Sequence, residues 1–282
     1  MSNIIGTLPA NLQNGTNADA SQVMADLNFI VNQVNANAQP AGTYLQPGFI
    51  SPGALVGVQV IAATGAYTAT SGATKGLIEM CGGGGAGGGA VGIGSSGQSG
   101  GSGGAAGNFL RLWIPSGLQS YSGTTVTIGA GGVGSAGANG GAGGNTTFGS
   151  VATAYGGQGG VAGPNYTGPI GGAASSWLLA CGAVNTQGPT SSLTRLVAFI
   201  GAAGGDAIGG NSAVSLVRGG DGGGAPLGSG GYGARAGLQS ASATAGSGYG
   251  AAGGGAALFN TASSAIAGQP GSAGVWIIYE FE

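Results

Sequence analysis

The chain has 282 residues, 70 of them glycine, with 4% charged residues and a net charge of −2. That length suits one large domain or two smaller ones. The scarcity of cations excludes the basic stripe of a nucleic-acid binder and the polybasic route to a membrane surface. Histidine is absent, which removes Ser-His-Asp and Cys-His activation and the usual zinc ligand sets. Disorder fits poorly as well. Disordered chains combine high net charge with few aromatics, whereas this one carries 8 Tyr, 7 Phe and 3 Trp at almost no net charge.

The opening "MSNIIGTLPANLQNG" has neither a basic start nor a continuous apolar run, so no secretory signal is expected. Cys81 and Cys181 are then expected to stay reduced. Residues 17–38, "NADASQVMADLNFIVNQVNANA", read as a helix, with Asp19 as cap, Gln22 completing a capping box and Pro40 as stop. Ala20, Val23, Leu27, Ile30 and Val34 fall at alternating spacings of three and four, a heptad seam widened by Met24 and Val31. The Pro/Gly-rich "AQPAGTYLQPGFISPG" separates the helix from the rest of the chain. A short helix set apart in this way needs another chain over its apolar face. The expectation is a trimeric coiled-coil-like bundle through Val23, Leu27, Ile30 and Val34. Packing of the helix on its own domain stays open.

From Ala54 the pattern becomes that of strands: "ALVGVQVIA", "GAYTAT", "KGLIEMC", "NFLRLWIP", "TTVTIGA", "NTTFGSVATAY" and the terminal "AGVWIIYEFE". The last is expected to pair back onto "KGLIEMC". Between the strands run glycine tracts such as "CGGGGAGGGAVGIGSSGQSGGSGGAAG". Pro164 to Ile200 interrupts them with Trp177, Leu178, Leu179 and Phe199 and reads as a small satellite core.

Glycine loses more conformational freedom on folding than any other residue, so the tracts are either linkers or building material. A polyproline-II-type helix has three residues per turn and no internal hydrogen bonds. Its buried amides and carbonyls must find partners in neighbouring segments. Glycine segments packed side by side can supply them, and larger residues are then displaced to the rim. This polyglycine-II-like lattice is the expected architecture. A series of linkers would leave the closing strand unpartnered.

Little chemistry accompanies these tracts. Asp206 in "AGGDAIGG" and Asp221 in "RGGDGGG" have no third polar group beside them and are expected in solvated turns. "GIGSSG" fits G-x-G-x-x-G, but no helix or acidic residue comes after it at the required distance. No catalytic residue, metal or cofactor is expected, and the chain reads as a non-enzyme.

"GVQVIAATGAYTATSGATKGLIEMCGGGGAGGG" resembles the beginning of the glycine-rich domain of bacteriophage tail fibre proteins, "TVTIGAGGVGSAGANGGAGGNTTFGSVATAYGGQGG" its next block, and "GSAGVWIIYEFE" its ending. The N-terminal helix is similar to the attachment end of short tail fibres. The resemblance implies a virion protein of the tail or baseplate, made in the host cytoplasm. It implies a homotrimer held to baseplate or tail-tip proteins by its N-terminal region, binding a polysaccharide, outer-membrane protein or pilus on the bacterial surface, with no nucleic acid involved. The expected divisions are an attachment and oligomerisation helix over 1–45, a small β-module over 46–81, and a glycine-rich receptor-binding domain over 82–282 with an insertion at 164–200. Tyr166, Trp177, Tyr232 and Tyr249 are the candidate receptor contacts, because Tyr and Trp dominate interface hot spots. The other readings left open are a tail-associated polysaccharide-degrading enzyme and a glycine-rich structural surface protein. Pro164 to Ile200, and Cys81 in place of a more usual aromatic or aliphatic residue, depart from the family pattern.

Overall fold

The computed structural model describes residues 20–37, 53–93, 97–163, 183–184, 193–209, 216–236, 243–259 and 264–282. The fold is mainly β, with a single α-helix, Ala20–Asn37, among the described residues. The chain divides into Met1–Ala54 and Leu55–Glu282. In the first unit Val23, Met24, Leu27 and Val31 are exposed and Ile30 is half-buried. Asp19 and the Val34 side chain lie outside what is described.

The second unit begins with a β-sandwich. In one sheet the strand Val275–Phe281 lies between Leu55–Ile61 and Lys75–Cys81, with Phe109–Ile114 and Thr194–Phe199 further outward. The closing strand pairs with Lys75–Cys81 over its whole length, from Val275 opposite Cys81 to Phe281 opposite Lys75. The second sheet runs Gly65–Ala66, Thr125–Thr127, Thr146–Phe148, Ala152–Ala154 and Ala183–Val184. Alternation along the strands turns Ile78, Met80, Leu110, Leu112, Trp276 and Ile278 inward to meet Val126, Phe148, Ala152 and Ala154. The rings of Tyr67 and Phe148 each approach Trp276 to 5.2 Å. Full burial of side chains of this size stabilises the fold by about 1.5–3 kcal/mol each.

Two expected boundaries move. Residues from Leu55 onward in the 46–81 stretch are not a module apart, because both long strands of that stretch flank the C-terminal strand in one sheet. Nor is the described end of 164–200 a satellite core. Thr194–Phe199 is the outer strand of the same sheet, and Leu193 belongs to the main core. A strand edge left unpaired exposes a row of amides and carbonyls, and pairing across the sheet satisfies them.

The glycine tracts continue the strands beyond the sandwich. Residues 82–90 extend Lys75–Cys81, and their amides donate in a strict rotation. Gly82, Gly85 and Gly88 bond Asn108, Ala105 and Ser102; Gly83, Ala86 and Gly89 bond Gly144, Gly141 and Ala138; Gly84, Gly87 and Ala90 bond Ser272, Gln269 and Ile266, all at 2.8–3.0 Å. The carbonyls of Gly83, Ala86 and Gly89 accept from Gly157, Gly160 and Gly163; those of Gly85 and Gly88 accept from Gly253 and Ala256; that of Gly84 accepts from Gly132. A partner that recurs every third residue is the period of a polyproline-II-type helix. Segment 82–90 is thus surrounded on all sides by other extended segments. Residues 101–108 repeat the pattern: Gly101, Gly104 and Gly107 donate to Ala256, Gly253 and Gly250, while Ser102, Ala105 and Asn108 donate to Val161, Gln158 and Tyr155. Glycine is required here by space. A Cβ on Gly84, Gly87 or Gly88 would collide with the carbonyls of Ala251, Gly254 and Val161.

Candidate functional site

The lattice carries few side chains, so side-chain chemistry is confined to where it ends and to residues that project from its surface. At the end away from the sandwich, Ala90 bridges to Gly163 and Ile266, and Gln98–Gly100 pairs with Ala257–Phe259. The Ser99 hydroxyl accepts from the Val91 amide at 2.9 Å and donates to the Gly163 carbonyl at 2.7 Å. Val217–Arg218 pairs with Ile208–Gly209 on one side and Arg235–Ala236 on the other. Small buried clusters close this end: Ala90, Ile93, Ala256 and Leu258 in one, Val217, Ala236, Ala243 and Phe259 in another. The residues flanking 94–96, 210–215, 237–242 and 260–263, and Gly163 before residue 164, are therefore brought to a common end. Sequence reading places candidate contacts at Tyr166 and Trp177 within 164–200 and at Tyr232 and Tyr249 outside it. The signal it lacks is pairing between tracts, which no local pattern encodes.

The candidate contacts separate. Tyr166 and Trp177 lie outside the described residues. Tyr249 is half-buried near the sandwich, packed against the cluster of Cys81, Phe109 and Val275. Tyr232 is 72% exposed on the flank of the lattice. Its amide donates to the Thr244 hydroxyl at 2.7 Å, and its carbonyl accepts from the Thr244 amide at 2.9 Å.

Ionisable groups are mostly engaged in structure. Glu79 pairs with Arg111, and Lys75 donates to the Glu282 carbonyl. Asp221 does not occupy a solvated turn. It sits in an extended lattice segment, pairs with Arg218 and accepts from the Gly233 amide. Glu280 is fully buried. It accepts from the Tyr67 hydroxyl at 2.7 Å, the Thr70 hydroxyl at 2.6 Å, the Thr70 amide at 2.9 Å and the Gln59 side chain at 3.0 Å. Burial pushes its pKa up, but the bonds from Thr70, Tyr67 and Gln59 outweigh that and hold it below the usual carboxylate value. Burial, and then the neighbouring Glu280 carboxylate, keep the Tyr67 phenol protonated. Burial pushes the Cys81 thiol up to about 12. Among the described residues no group of three His, Cys, Asp or Glu side chains could hold a metal ion.

A family model for a glycine-rich domain matches residues 61–280. The chain belongs to the glycine-rich domain family. The match takes in the second sheet, the first sheet apart from the strand Leu55–Ile61, and all the described lattice, so in this glycine-rich domain strands and glycine tracts form one unit. No curated protein matches the chain.

Proposed function

We propose that this glycine-rich domain protein is a bacteriophage tail-fibre adhesin that binds a receptor on the bacterial surface during adsorption. The observation that supports it most is the gathering of the described tract ends, around Ala90, Ile93, Gly163, Val217, Ala236, Ala243, Phe259 and Ile266, at one end of a lattice that has almost no side chains of its own. Loops acquire binding function when a rigid scaffold positions them. The resemblance to tail-fibre sequences points the same way. The helix would join three copies through Val23, Leu27, Ile30 and Val34, a reading supported by the exposure of Val23, Met24, Leu27 and Val31. Three weak sites linked together gain avidity without new contacts. The protein would act in the virion, attached to baseplate or tail-tip proteins through its N-terminal region.

Adsorption of purified protein to a panel of bacteria, and its competition with phage adsorption, tests the reading. Binding to a susceptible strain and loss of phage adsorption are expected. Protein that adsorbs to no strain and never competes overturns it. Exchanging residues 164–182, which leaves the strands Ala183–Val184 and Thr194–Phe199 and the core residue Leu193 in place, or making Tyr166→Ala with Trp177→Ala, is expected to weaken adsorption while the glycine-rich unit keeps its melting temperature. An unchanged adsorption rate places the receptor contact elsewhere.

A further inference from the structure

Along 229–236, Ser229, Tyr232 and Arg235 are exposed, whereas Gly231, Gly233, Ala234 and Ala236 are buried. The buried side is bonded at the same interval, Gly231 to Ala252 and Ala234 to Gly255. Exposure at every third residue is what a three-per-turn extended segment on a lattice surface produces. It sets Tyr232 and Arg235 on one side, about 9 Å apart along the axis. Neither has backbone freedom. Tyr232 is bonded twice to Thr244, the Gly233 amide is held by the Asp221 carboxylate, and Arg235 lies in a strand pair.

Arg235 stands opposite Arg218 across that pair. Like charges placed directly opposite destabilise a sheet. Asp221 neutralises Arg218, whose Nε is buried without a partner. Arg235 has no partner among the described residues. The chain has only five cations, and Lys75, Arg111 and Arg218 are engaged. An oxyanion on Arg235 would relieve the like-charge contact, and a guanidinium binds carboxylate or phosphate through paired hydrogen bonds. One turn away, the open Tyr232 ring offers a flat apolar face with a polar tip at little cost in side-chain entropy. An apolar sugar face against the ring and an oxyanion against the guanidinium match this spacing.

We propose that the Tyr232–Arg235 line is a binding strip for an acidic saccharide, with a sugar ring stacked on Tyr232 and a carboxylate or phosphate held by Arg235. It deepens the adhesin reading, on which its biological setting rests, by naming the chemistry of the surface contacted. The test immobilises polygalacturonate, phosphomannan and uncharged dextran and measures binding of the full chain at low and high NaCl. Binding to an acidic polymer but not to dextran is expected, weakening as salt rises. Preference between the two acidic polymers assigns the carboxylate or the phosphate. Tyr232→Ala and Arg235→Gln are each expected to lower that affinity at least tenfold with unchanged melting temperature, and Arg235→Lys to restore part of it. Equal binding to dextran, no binding to either acidic polymer at low salt, or variants that bind like the parent each overturn the proposal. Adsorption to bacteria, measured in parallel, keeps the two readings apart. Unchanged adsorption by both variants sinks the strip alone. Polymer binding lost in both variants, with no adsorption by the parent to any strain, keeps the strip and sinks the adhesin.

Discussion

The carbonyl oxygen of Ala251 occupies the place where a side chain on Gly84 would begin. Gly84 also donates its amide to Ser272 at 2.9 Å and accepts from Gly132 at 2.8 Å, so it cannot move aside without breaking bonds on two sides. Overpacking of this kind typically costs about 1–3 kcal/mol. Gly84→Ala is expected to lower the thermal midpoint clearly, and Gly84→Val more. Gly224 is the control: the nearest atom to an added Cβ is 3.7 Å away and no positive φ constrains it. Gly224→Ala should be neutral or stabilise by about 0.4–1 kcal/mol through the unfolded chain. Equal melting curves for the two alanine variants would refute a lattice closed to side chains.

Glu280 joins the first, second and last segments of the sandwich through Gln59, Tyr67 and Thr70. Its folded pKa lies below its ordinary value of 4.5. The unfolded state therefore takes up the proton first as pH falls. The stability it contributes is complete above the unfolded pKa and is lost as pH drops through the folded one. Glu280→Gln is expected to cost about 2–3 kcal/mol at neutral pH, since it replaces a charged acceptor among buried donors. The variant should also flatten the acid limb of stability against pH. Urea midpoints of parent and variant between pH 3 and 7 measure both effects.

The Cys81 thiol titrates at about 12 in the folded protein because it is buried. An unfolded thiol ionises near about 8.5, so the stability linked to this group is complete below that value and is lost as pH rises toward 12. Cys81 should resist iodoacetamide at pH 8.5 in native protein and react fully in guanidinium, as read by tryptic mass spectrometry. Rapid native labelling of Cys81 would contradict its burial.

Leu27 is 50% exposed and Ile30 half-buried in the N-terminal helix. If they form a seam between copies, Leu27→Asp with Ile30→Asp buries uncompensated charge there. Light scattering should then report monomer in place of trimer, while the glycine-rich unit melts as before. An unchanged mass would remove these residues from any oligomer contact.

Much of the sandwich was legible in the sequence because its signals are local. The alternation in "VWIIYEF" sets Trp276, Ile278 and Glu280 on one face, and all three are buried together. The same alternation carries the buried role of Glu280, which composition alone leaves as one scattered carboxylate. The pairing of the closing strand with "KGLIEMC" comes from two apolar runs that bracket the glycine tracts. That those tracts are building material was legible too, since glycine in such numbers has to satisfy its backbone somewhere. What the sequence could not hold was partner choice. Glycine tracts are nearly identical to one another, and a backbone hydrogen bond carries no label. Only the tertiary structure assigned Gly82, Gly83 and Gly84 to three different neighbours and drew the ends of distant tracts together. It also separated two tyrosines that look alike in sequence. Tyr232 falls on the outward position of a three-residue turn and is left in water, while Tyr249 is folded against Cys81 and Val275 and half-buried.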